Sequence, residues 1–200
     1  MIVRVSREKM AEHRETIISS AAKRFRERGF EGISVADLMK EAELTHGGFY
    51  GHFESKEELI ALAAERALRD STAKWEKILD GAKSDPLQAL ADTYLSQRHC
   101  DNPGTGCIFP ALGSEISRQP ESVRNVVTQG LQRFVGLLGR AIKGKSPAQR
   151  RRKAIVAYAS MIGGMLLARS TSDPVLCREI LRTVSESLSS DGVSSNLTAK

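Results

Sequence analysis

The sequence predicts an all-α protein of about nine helices, three short ones at the N-terminus and a longer helical bundle behind them. Three observations carry that expectation. Prolines recur directly after capping residues, at Asp85-Pro86, Ser146-Pro147 and Asp173-Pro174, where a helix start leaves the backbone N–H unpaired in any case. Capping boxes mark two further starts, Ser34-Val-Ala-Asp37 and Ser55-Lys-Glu-Glu58, in which serine and acid satisfy each other's first-turn N–H groups. No strand-like alternation appears beyond a brief "IVRV" at residues 2–5.

In order, the first helix is expected from about Glu12 to Arg28, with Ile17, Ala21 and Phe25 on one stripe and Gly29 as C-cap. The second runs from Val35 to Ala42. A tight Glu43-Leu44 link leads to the third, His46 to His52, which Thr45 can cap. Leu38, Leu44, Phe49 and Phe53 give these three an apolar interior. The fourth helix starts after Ser55 and ends near Gly81, and the fifth spans Pro86 to His99. A loop, "CDNPGTG" at 100–106, precedes a sixth helix at Cys107, which Pro110 is expected to kink or delay. Helices seven, eight and nine open at Pro120, Pro147 and Pro174. Cys177, Leu181, Val184 and Leu188 form a heptad-like seam on the ninth. The expected division is 1–54, 55–190 and a disordered tail at 191–200, where apolar residues are scarce.

A hydrophobic fraction of 40% and 27% charged residues are those of an ordinary soluble protein. Only 5% of residues are aromatic, which argues against a stacking surface for single-stranded nucleic acid. The formal charge of +6 permits a polyanionic partner, but Glu27, Glu31, Asp37, Glu41, Glu43 and Glu54 offset the basic residues around the third helix. A case for DNA must therefore come from geometry. Three cysteines and no secretory h-region point to reduced thiols in the cytoplasm. The apolar run Ala154 to Ala168 is too short to span a bilayer, and no membrane partner is expected.

The segment "LTHGGFYGHFESKEEL" at 44–59 raises the sharpest question. Each glycine inside a helix costs roughly 1 kcal/mol relative to alanine, yet Gly47 and Gly48 stand side by side. Helix two, a tight link and helix three have the proportions of a helix-turn-helix, whose second helix enters a DNA major groove by its N-terminal end. Two missing side chains there would let the backbone lie close to the duplex. The same glycines could merely shape a turn.

The stretch "GISVADLMKEAELTHGGFYGHFESKEEL" resembles the DNA-binding signature of TetR/AcrR-type transcriptional repressors, over roughly Arg14 to Leu62. The resemblance implies a palindromic double-stranded operator, a ligand-sensing and dimerising helical body, a small-molecule inducer and a homodimer joined through the last two helices. It implies phosphate contacts for Thr45, Tyr50 and Lys56, and base-edge approach for His46, Gly47 and His52 beside Gly48. Arg4 and Arg7 would add contacts from a flexible arm. There are two departures: Glu43 replaces a turn glycine, and Gly51 replaces a longer, often basic, residue.

In the body, Trp75, Tyr94, Phe109, Phe134, Met161 and Met165 are the candidates for a hydrophobic inducer pocket, against a plain role in the core. Cys107 follows a glycine-rich loop at a helix N-terminus, a setting that favours thiolate. The segment is similar to that of family members which sense electrophiles or oxidants through such a cysteine, with Cys100 a candidate resolving partner; a small buried hydrophobe is the alternative. Ala159/Gly163 and Ser160/Gly164 permit close helix approach at a dimer interface. No cofactor, metal site or catalytic residue is expected. The rival classes are a cysteine-dependent enzyme, for which no convincing base accompanies Cys107, and a helical partner-binding module without a DNA role.

Overall fold

In the computed structural model, residues 7–188 are described; Arg4, the "IVRV" stretch and the 191–200 tail lie outside them. Nine α-helices and two 3-10 turns follow one another, with no strand among the described residues: α1 Arg7–Arg28, α2 Val35–Glu41, a 3-10 turn His46–Gly51, α3 Lys56–Gly81, α4 Pro86–Tyr94, α5 Gln97–Asp101, a 3-10 turn Pro103–Thr105, α6 Ile108–Ile116, α7 Glu121–Ala141, α8 Pro147–Ser170 and α9 Pro174–Ser187.

The local start signals act as their chemistry requires. The Ser34–Asp37 box is closed in both directions, and Ser55, Asp85 and Ser146 each accept an N3 N–H. Gly29 ends α1 at φ +81°, a left-handed position suited to a residue without Cβ. A single buried apolar cluster runs from Ile17 to Leu188. The shared element is α3, which packs on α1 and along α7, so the N-terminal helices and the body meet on one continuous rod.

Several expectations need correction. The first helix begins at Arg7 rather than about Glu12, so Arg7 sits on a helical turn instead of a flexible arm. The third helix is a 3-10 turn, tighter and weaker than an α-helix. Thr45 occupies its cap position in extended backbone, but its side chain makes no capping hydrogen bond. The single helix expected from Pro86 to His99 breaks after Tyr94, because the Ser96 hydroxyl accepts the His99 N–H and starts α5. Cys100 therefore lies on a helix, not in the loop. Pro110 falls in the first turn of α6, where it removes no internal hydrogen bond. Pro120 caps α7 rather than opening it. Gly164 brings α8 against Val184 of α9 within one chain: a Cβ there would sit 3.2 Å from the Val184 side chain. A Cβ on Gly163 meets no atom of the described residues within 4 Å.

Candidate DNA-reading face and thiol cavity

Phe49 and Phe53 are buried, with rings 5.3 Å apart, and pin the 3-10 turn to the N-terminal core. Its outer side carries Thr45, His46, Gly47 and Gly51, all exposed, and Tyr50, which is 72% exposed. Folding does not require the paired glycines. Among the described residues a Cβ at Gly47 meets no atom within 4 Å; one at Gly48 makes ordinary contact with Thr45 Oγ1 at 3.5 Å and Met39 Cε at 3.6 Å. Neither glycine has a positive φ. The turn before them does hold strain: Glu43 adopts φ +58°.

Lys56 extends this face, its Nζ 3.3 Å from Glu31 Oε2. His52 turns inward instead. It is half-buried, its ring lies 6.1 Å from that of His13, and its carbonyl accepts from Arg14 Nε. Burial holds its imidazole below the usual range, with His13 and Arg14 adding to the effect. Among the residues expected to approach bases, His52 is thus the one half-buried against α1.

In the body, a cavity of about 460 Å³ opens between α3, α4, α5 and the loop to α6. Trp75 and Tyr94 form its apolar wall, and His99, Gly106 and Cys107 close one end. The other four pocket candidates are not in this wall. Phe134, Met161 and Met165 are fully buried, and Phe109 and Phe134 pack on Tyr158 at 5.8 and 5.5 Å. They form the aromatic core beside the cavity.

Cys107 is buried and caps α6 by backbone alone; its Sγ lies 3.5 Å from the Tyr158 hydroxyl. The Cys100 thiol does not face it. Cys100 Sγ is 4.0 Å from Cys177 Sγ on α9, and burial followed by the Cys177 thiol pushes it up to about 11. The expectation of Cys100 as resolving partner is corrected accordingly: the break before α5 turns its side chain toward α9.

His99 organises the loop. Its Nδ1 is 2.6 Å from the Tyr94 carbonyl and its Nε2 accepts the Cys107 N–H at 3.0 Å. That pattern requires neutral imidazole protonated on Nδ1. Burial pushes its pKa down to about 4, the nearby Arg169 adding to the effect. Arg169 of α8 donates to the His99 and Cys100 carbonyls at 2.6 and 3.1 Å.

Sequence reasoning did not find the contact that joins the two sites. Arg26 of α1 donates from both terminal nitrogens, to the Gly104 carbonyl at 2.5 Å and the Gly106 carbonyl at 3.2 Å. A Cβ on Gly104 would strike Glu27 of α1, and one on Gly106 would strike His99; these glycines allow the loop to sit between α1 and α5. From the same α6, the Glu115 carboxylate accepts the Phe30 N–H at 2.8 Å. No sequence signal marks these partners, which lie about eighty residues apart in the chain.

An exposed recognition turn on a three-helix head, fixed to a helical body with its own cavity, defines the class of helix-turn-helix regulators. Residues 17–63 match the family described as bacterial regulatory proteins, tetR family. That match spans the N-terminal head, and beyond it the chain is similar to DNA-binding transcriptional regulators. It is 27% identical over 176 residues to the HTH-type transcriptional repressor NemR of Escherichia coli, covering 80% of this chain and 87% of that protein. It shares the fold of the reduced form of E. coli NemR, with TM-score 0.72 and 23% identity over 86% and 95% of the two chains. A TetR-family regulator from Cytophaga hutchinsonii superposes with TM-score 0.77 at 19% identity, over 96% and 97% of the chains. No helix among the described residues is long and apolar enough to cross a membrane.

Proposed function

We propose that the protein is a homodimeric repressor that reads a palindromic operator through residues 45–51 and Lys56, and leaves it when a small molecule occupies the cavity and modifies Cys107. Three features support the reading. The glycines at 47 and 48 have no role in packing, so close approach by an external partner accounts for them. Tyr50 presents a hydroxyl to solvent and Lys56 an ammonium that can exchange Glu31 for phosphate. On α8 and α9, Ile155, Val156, Leu166, Leu167, Val175 and Leu176 are between 43% and 62% exposed, an apolar face suited to a partner copy. The name of NemR, a repressor, gives the sign of regulation.

The observation that carries the mechanism is the Arg26 clasp. Gly104 and Gly106, its acceptors, lie in the loop that runs into Cys107, and Arg26 belongs to the first helix of the head. A group bonded to the thiol lies between the cavity and Tyr158, and its bulk pushes on the α6 N-terminus. Arg26 and the Glu115–Phe30 bond carry that push to α1. A dimer reads half-sites about one helical turn apart or a multiple of it, and a displacement of a few ångströms spoils the match.

The test is operator binding by fluorescence anisotropy before and after a thiol-alkylating reagent. Alkylation should release the wild-type protein, whereas Cys107→Ser should stay bound. Arg26→Met should bind operator but release poorly. Full release of Cys107→Ser would overturn the thiol's role, and unchanged release of Arg26→Met would overturn the clasp.

A further inference from the structure

We infer that Tyr94 is the carbonyl-binding residue of the cavity, and that its ligand is a conjugated carbonyl compound carrying no cation, whose double bond Cys107 attacks. The inference rests on the reading of Cys107 as the reactive thiol. Its starting point is the Tyr94 hydroxyl, which is buried and finds no oxygen or nitrogen partner among the described residues. A buried hydroxyl left without a good acceptor is costly, so a ligand that brings an acceptor to it gains affinity there. His99 does not fill this role, because its Nδ1 bonds the Tyr94 carbonyl. The one group beside it that could accept is the Cys107 thiol, a weak acceptor that already faces the Tyr158 hydroxyl at 3.5 Å. Burial, followed by the presence of Cys107, pushes the Tyr94 phenol well above its usual range, so it remains a proton donor at neutral pH.

Tyr94 and Cys107 are each 4% exposed and both belong to the cavity wall. A ligand that displaces the wall enough to reach the sulfur therefore also reaches the hydroxyl. Trp75, edge-on to Tyr94 at 5.9 Å, gives a conjugated body a flat surface. Charge narrows the class further. Lys74 and Arg98 line the cavity and, among the described residues, no Asp or Glu does; a cationic ligand would find repulsion and no partner.

The step balances without an oxidant. The thiol proton leaves to solvent and a sulfur lone pair forms an S–C bond to the β-carbon. The displaced π pair moves to the carbonyl oxygen, where the Tyr94 O–H stabilises the enolate, and the α-carbon then takes one proton back. The net change is addition of S–H across the double bond.

The experiment compares two reagents on the native dimer, with modification at Cys107 resolved by peptide mass spectrometry. N-ethylmaleimide develops charge on a carbonyl oxygen; methyl methanethiosulfonate exchanges at sulfur and has no carbonyl. Tyr94→Phe should slow the maleimide about a hundredfold, the low end of what a donor to a developing oxyanion contributes, and leave the thiosulfonate rate within about twofold. In the wild type, a maleimide bearing a carboxylate should react faster than one bearing a quaternary ammonium. Parallel loss with both reagents, an unchanged maleimide rate, or preference for the cationic maleimide overturns the inference. If alkylation releases DNA but the reagent ratio is unchanged, the assignment of Tyr94 alone fails. If Cys107 reacts with neither reagent, or reacts without release, the sensor reading fails with it.

Discussion

Glu43 is the one non-glycine residue with positive φ among the described residues. An L side chain in that region costs roughly 1–2 kcal/mol, which explains why a glycine suits the position. Glu43→Gly should therefore stabilise the protein by about 1 kcal/mol, net of the freer unfolded chain, seen as a higher urea midpoint at unchanged m-value. No stabilisation would mean the Glu43 side chain makes an offsetting contribution. Four residues on, the logic reverses. Gly47 has ordinary backbone and open space, so its bareness is of no benefit to folding. Lys56 and Tyr50 are where the duplex can be tested directly: Lys56→Ala should weaken all duplexes and lower the salt slope of binding by about 1. Tyr50→Ala should weaken them as well. Full operator affinity in both variants would remove this face from the interface.

At the level of elements, helix starts were legible because they are local. Serine or aspartate at a cap and proline one residue on act within a single turn, as Ser34, Ser55, Asp85 and Ser146 do. The break between α4 and α5 was not legible. Ser96 lacks the Glu or Gln that completes a capping box, and the kink is held by distant groups: Arg169 on the His99 and Cys100 carbonyls, and His99 on the Cys107 N–H. This element has a pH signature. His99 is neutral in the fold, with its pKa pushed down to about 4 from an ordinary 6.5. Between those values the unfolded chain holds a proton that the native chain lacks, so stability falls as pH drops from about 6.5 towards 4. His99→Gln removes this contribution. Thermal melts from pH 7 to 4.5 should fall less steeply for the variant than for the wild type, and equal slopes would show that His99 does not titrate as buried imidazole.

For the whole molecule, the proposed dimer interface is the apolar face on α8 and α9. Leu167, 59% exposed, and Val175, 62% exposed, belong to it. Leu167→Glu combined with Val175→Glu should leave the protomer folded by circular dichroism, shift sedimentation to a monomer, and abolish operator binding, since one head contacts only one half-site. A double variant that still sediments as a dimer would place the interface elsewhere. The amino-acid order alone determined the helical class, most of the helix starts and the reading turn, because caps, prolines and short-range apolar spacing act over a few residues. Tertiary structure decided what each thiol meets: Cys100 the Cys177 thiol, and Cys107 the Tyr158 hydroxyl. It also decided which aromatic residues face the cavity and how Arg26 ties the head to the loop. Those outcomes depend on helices far apart in the chain packing at fixed rotations, and a rotation between helices is set by the whole core, not by any local pattern.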